Sequence, residues 1–99
     1  MILDEFRASL SKTKPPAELS PALAALWWAG KQDWNRAHRI VMDEGGEDCA
    51  WVHAHLHRTE GDLDNARYWY RQAQRPVPTM PPAAEWDAMV QTLLAAGGR

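Results

Sequence analysis

Between Gly61 and Ala73 the chain reads Gly-Asp-Leu-Asp-Asn-Ala-Arg-Tyr-Trp-Tyr-Arg-Gln-Ala, and this stretch narrows the fold more than any other. Gly61 tolerates a backbone conformation that a Cβ would penalise, which marks a turn. Asp62 or Asp64 then suits the start of a helix, where its carboxylate accepts a free backbone N–H. Ala66, Tyr70 and Ala73 recur at i, i+4 and i+7 and so share one face. Two small residues flanking an aromatic let a neighbouring helix come close while the ring fills the gap. The expected unit is a helix hairpin that cannot stand alone and must stack on another.

The rest of the chain carries matching signals. Ile2, Leu3, Phe6 and Leu10 have helical spacing, and Pro15-Pro16 stops any continuation. Ser20-Pro21 opens a second helix as cap and first residue, running to about Gly30 with Leu23, Leu26 and Trp27 on one face. Asp33 caps a third, about Trp34 to Glu44, with Ala37, Ile40 and Val41 inward and Gly45-Gly46 after it. Glu47 to Glu60 reads as a fourth helix, and the Gly61 segment as the fifth. Four prolines between Arg75 and Pro82 favour extended chain. Ala83 to Ala96 is the last helix, with Trp86, Met89, Val90, Leu93 and Leu94 in register and Gly97-Gly98 after it. No strand pattern occurs.

A shift of 29 residues lays Gln32-Asp33-Trp34-Asn35-Arg36-Ala37 on Gly61-Asp62-Leu63-Asp64-Asn65-Ala66, Ala25 on Ala54 and Trp28 on His57. The small residues then fall where the helices of each hairpin would cross. The expected architecture is all-α and a single domain: an N-terminal helix and linker over 1–14, a first hairpin over 20–45, a second over 47–78 and a capping helix over 82–96.

The set Gly61, Ala66, Tyr70, Ala73 and Pro78 resembles the second helix of a tetratricopeptide repeat, and Ala66 to Ala73 is also similar to a Sel1-type repeat. The period of 29 is shorter than that family's 34, and His53-Ala54 stand where its Leu-Gly pair would be. Trp51 to Ala73 also resembles small bacterial proteins of unassigned role, which implies no function. The repeat resemblance implies a non-enzymatic module that binds a protein or peptide, with Asp48, Trp51, His55, Arg58 and Thr59 facing the groove. Trp51 would give apolar area and Arg58 a bidentate donor. The simpler alternative makes Trp51 core and Arg58 a solvated charge.

Cys49, His53 and His57 stand four apart on the fourth helix, with Glu60 one turn further. Two histidines at i, i+4 suit zinc or another divalent transition metal, with Cys49 or Glu60 as a third ligand. Cys49 to Glu60 spans three turns, too far for one ion to touch all four. The favoured expectation for His53 and His57 is burial with hydrogen-bond partners and no cofactor. Arg67, Arg71 and Arg75 run down one face, with Arg36 and Arg39 on the earlier helix. Such a stripe suits anions, yet the net charge is −2, so a salt-bridged surface is expected over a nucleic-acid interface.

No catalytic residue is assigned. Gly45-Gly46 lacks the Lys-Ser/Thr of a phosphate loop, no Gly-x-Ser-x-Gly elbow occurs, and Cys49 has no third residue to orient a base. The early charges of Met1–Arg7 do not form a secretory signal, and no window is apolar enough to span a bilayer. One cysteine excludes an intrachain disulfide, and the cytoplasm is the expected setting. Six tryptophans in 99 residues supply core, and the adjacent pair Trp27 and Trp28, about 100° apart on a helix, leaves a face for a homodimer as a further alternative.

Overall fold

The computed structural model describes residues 1–97. It contains six helices among them, with no strand: α1 (Leu3–Ser9), α2 (Pro21–Gly30), α3 (Trp34–Asp43), α4 (Glu47–Thr59), α5 (Leu63–Gln72) and α6 (Pro82–Ala95). The all-α class follows. Each helix lies within a residue or two of its expected bounds, and Gly98 lies outside the described residues.

Local chemistry places the ends. Ser20 Oγ accepts from the Leu23 N–H at 3.3 Å, with Pro21 as first residue of α2. Asp33 caps α3 through the Arg36 N–H and Asp62 caps α5 through the Asn65 N–H, at 3.1 and 3.3 Å. Gly46 begins α4 at φ 100°, rather than closing α3.

The two interhelix turns are the same object 29 residues apart. In the first, the Asp33 N–H donates to Trp28 O at 2.9 Å and the Gln32 N–H to Ala29 O at 3.0 Å; in the second, Asp62 donates to His57 O at 3.0 Å and Gly61 to Arg58 O at 3.1 Å. These paired bonds satisfy the last helical carbonyls with a left-handed residue just past the cap. Gly61 takes it at φ 85° without strain, and Gln32 takes it at φ 65° despite its Cβ. The end of α5 repeats the bonds, Gln74 to Arg71 O and Arg75 to Tyr70 O.

These turns fold α2 back along α3 and α4 back along α5, and α4 also touches α2, α3 and α6. Ala25, Ala37 and Ala54 are fully buried, and Ala66 nearly so. Tyr70 and Trp27 plug the space beside them. Trp27 is fully buried and Trp28 half-buried beneath the Arg36 guanidinium, 4.5 Å from the ring centroid. The Trp27 half of the expected dimer face is therefore corrected: that ring is core, and its N–H donates to Ser9 Oγ at 3.0 Å.

The outer helices lock on through aromatics. Phe6 is fully buried with its ring 5.7 Å from that of Trp86. The Trp86 N–H donates to Leu26 O at 2.8 Å, and Lys31 Nζ donates to the carbonyls of Leu10 and Lys12 beyond α1. Gly30 makes this possible. A Cβ there would stand 2.9 Å from Trp86 Cζ2 and 3.1 Å from Leu10 Cδ1. Alanine is the better helix former by about 1 kcal/mol. Gly30→Ala is nevertheless expected to lower stability by about 1–3 kcal/mol through overpacking. Urea denaturation decides the sign, and a stabilised variant would contradict this packing.

Candidate functional site

Nine consecutive residues of α4, Cys49 to His57, are buried. Three are histidines, and successive turns aim them at different neighbours. His53 and His57, one turn apart, face α3 and α5. His55 faces α6.

On the first side His53 and His57 meet His38 of α3. The Nε2 atoms of His38 and His53 are 3.1 Å apart, and one ring nitrogen from each of the three imidazoles lies within 4.8 Å of the others. The rings of His53 and His57 stack at 4.9 Å, and that of His38 stands edge-on to both. Two indoles close the slot: Trp34 stacks on His38 at 4.5 Å and Trp69 on His53 at 4.0 Å. His57 Nδ1 pairs with Glu60 Oε1 at 2.6 Å. Glu60 and Asp62 in turn form an adjacent cluster with His57.

Burial, reinforced by His38 and His57, pushes the His53 imidazole down to about 4. Burial and His57 also lower His38, against a smaller opposing pull from Glu60. Both therefore offer lone pairs at neutral pH.

On the opposite side lies Glu85, the first inward residue of α6 and 3% exposed. His55 Nδ1 meets its Oε1 at 2.7 Å, Arg58 Nη1 donates to the same oxygen at 3.1 Å, and Tyr70 Oη donates to Oε2 at 2.5 Å. Arg58 also donates to Met80 O, tying down the proline-rich connection. Burial alone would raise the carboxyl of Glu85, but His55, Tyr70 and Arg58 outweigh it and hold the pKa below the ordinary value. Burial and the same carboxylate push Tyr70 well up.

The expected groove residues do not share an open face. Asp48 is exposed at the start of α4. Trp51 is 8% exposed, with the Arg75 guanidinium 3.8 Å from its ring centroid. His55 and Arg58 are engaged with Glu85, because α6 packs where the resemblance left a groove. Thr59 donates to Leu56 O.

The metal set is also rearranged. His53 and His57 come together and Glu60 joins His57, but Cys49 lies outside both clusters, near the start of α2. Its thiol is raised to about 11 by burial and the nearby Glu44 and Asp48, so it is a poor nucleophile. Arg67 is exposed and paired with Asp64, Arg71 is exposed, and Arg36 pairs with Asp33 at 3.6 Å.

Two residues escaped the sequence reading. His38 follows Trp34 by four and precedes Val41 by three, a helical stripe that includes it. Glu85 stands four before Met89 and eight before Leu93, a charge inside an apolar stripe. No family model, curated protein or solved structure matches this chain.

Two expectations follow. Glu85→Gln strips a buried anion from three donors, and thermal or chemical denaturation should show a loss of about 3–5 kcal/mol; an unchanged midpoint would remove the network from the fold's supports. Secondly, His53 titrates lower folded than unfolded, so the unfolded chain binds more protons between pH 6.5 and about 4. Metal-free protein should thus hold its stability above pH 6.5 and lose on the order of 3 kcal/mol as pH falls through that window. His53→Phe should flatten the profile there; an equally steep one in the variant would assign the loss to other groups.

Proposed function

We propose that this protein is a metal-binding helical module, holding one divalent transition metal of zinc type between its two hairpins through His38, His53 and His57. The convergence of three imidazole nitrogens from α3 and α4 within 4.8 Å carries this reading. Tetrahedral zinc with bonds of about 2.0–2.1 Å places its ligand nitrogens about 3.3 Å apart. The His38–His53 pair stands at 3.1 Å already, and His57 offers a ring nitrogen within 4.8 Å of both.

Three further features support it. His38 and His53 are neutral at physiological pH, the state a ligand must have. Glu60 on His57 Nδ1 leaves Nε2 for an ion, in the manner of carboxylates behind metal-bound histidines. The stacked indoles of Trp34 and Trp69 fix two of the ring planes. An ion here would clamp the first hairpin to the second, compensating for a stack of only two. Four-coordinate binding would leave one position beyond the three imidazoles.

A second reading, a non-enzymatic protein- or peptide-binding scaffold of tetratricopeptide type, is supported by the matched hairpin turns and by Leu63 and Tyr68, 53% and 49% exposed on the outer helix α5. A clamped stack would present that surface, to a partner or to a second copy of the chain. No helix among the described residues is long and apolar enough to cross a membrane. The free thiol of Cys49 suits a reducing compartment such as the cytoplasm.

Cobalt(II) titration of metal-free protein should give the intense visible bands of a tetrahedral site, saturating at one ion per chain and displaced by zinc. Zinc at about a hundred times Kd should add roughly 2.7 kcal/mol of stability. Alanine at His38, His53 and His57 together should abolish the bands, and Glu60→Gln should weaken binding by about 10–100-fold. Stoichiometric binding that survives the triple substitution, or none with the parent, overturns the proposal.

A further inference from the structure

Residues 75–82 link α5 to α6 and read Arg-Pro-Val-Pro-Thr-Met-Pro-Pro. The prolines lock φ at about −65° and have no N–H to donate. Arg75, Val77, Met80 and Pro81 each precede a proline, which pushes them into extended backbone. Of residues 75–81, Thr79 alone escapes both constraints. Pro81 stands at φ −60° and ψ 154°, close to polyproline II. Residues 76–79 make no backbone–backbone hydrogen bond among the described residues, and polyproline II needs none. Both ends are tied down. The Arg75 N–H donates to Tyr70 O at 3.0 Å, and Arg58 donates to Met80 O at a bend in the chain.

We propose that residues 75–81 are a docking segment for a protein partner that grips polyproline II chain, through a groove with two aromatic-walled slots and a carboxylate beside them. This goes beyond both readings above, since here the chain supplies the ligand that another protein's groove receives.

The prolines determine the slots. Val77-Pro78 and Met80-Pro81 are apolar–proline pairs one polyproline II turn apart. Val77 and Met80 are 51% and 41% exposed, Pro81 is exposed and Pro78 half-buried. Aromatic slots take up such pairs, and the backbone arrives already extended. Docking then costs little conformational entropy, because the prolines and the two end ties have removed most of it beforehand.

Arg75 determines the carboxylate. Three residues before Pro78, it lies along the same edge of a polyproline II helix, about 9 Å away at about 3.1 Å per residue. Its guanidinium stacks on the Trp51 indole, 3.8 Å from the ring centroid. It pairs with no carboxylate among the described residues. Stacking occupies the flat face of the guanidinium and leaves its N–H edge for a bidentate acid. A single fixed cation beside apolar pairs selects one carboxylate, where a polyanion would need a row of cations.

The probe is a panel of purified Src-homology-3 domains, chosen for carboxylates beside their aromatic slots. Each is titrated into the nitrogen-15-labelled, metal-free full chain. At least one should shift the amides of Val77, Thr79 and Met80 saturably. Arg75→Glu should weaken that binding at least about 10-fold, since an attractive charge pair becomes a repulsive one. Val77→Glu, at an exposed position, should abolish it. Arg39→Glu, which changes an exposed arginine of α3, should leave it unchanged. If Arg75→Glu does not fold, because Trp51 loses its cover, Val77→Glu and Arg39→Glu decide the matter. No saturable binding by any member of the panel, or binding that survives both substitutions in the segment, would overturn the proposal. So would shifts centred on Leu63 and Tyr68 of α5, which would favour the scaffold reading instead. Because the metal-free chain is used, either result leaves the metal reading to its own test.

Discussion

A helix buried on every side must find a partner for every polar group it carries, and α4 is such a helix. From Cys49 to His57 it is enclosed by α2, α3, α5 and α6. Three imidazoles inside that run cannot simply be solvated. His53 and His57 are satisfied by His38, Glu60 and two stacked indoles, and His55 by Glu85. The positions of α3 and α6 around α4 are thus coupled to the polar chemistry at its two faces. The alanines make the enclosure close enough to matter, since Ala25, Ala37, Ala54 and Ala66 let the helix backbones approach where larger side chains would hold them apart.

The two faces differ in kind. Around Glu85 the charge is fully matched by three donors, an arrangement that fixes how α6 and the proline-rich connection lie more than it adds stability. Around His38, His53 and His57 there is no anion at the centre. Three lone-pair donors share a slot, and only Glu60 touches it from behind. Such a cluster is tolerated because burial keeps His38 and His53 neutral, and the same neutrality prepares those two rings for a cation. The contrast separates a structural network from a candidate site, although both consist of buried histidines.

Much of the frame was legible. Ser20-Pro21, Asp33, Gly61-Asp62 and the spaced alanines mark helix ends and crossings through bonds formed within a few residues, and the same turn hydrogen bonds recur at Gln32-Asp33 and Gly61-Asp62. The pairing of His53 with His57 was legible for the same reason. His38 was not, because its role depends on α3 lying across α4. Asp48, Trp51, His55 and Arg58 were expected on an open groove by resemblance to a longer array. Here α6 and Arg75 cover much of that face, and the acid receiving His55 and Arg58 comes from residue 85, far along the chain.

The sequence by itself determined the number of helices, where each begins and ends, and which residues are small enough for hairpins to close, because those properties follow from caps, turns and a 3.6-residue period. Only the tertiary structure decided which histidines meet and which acid is buried among donors. Those outcomes depend on desolvation and on the angle between helices, and both are set by packing across distant parts of the chain.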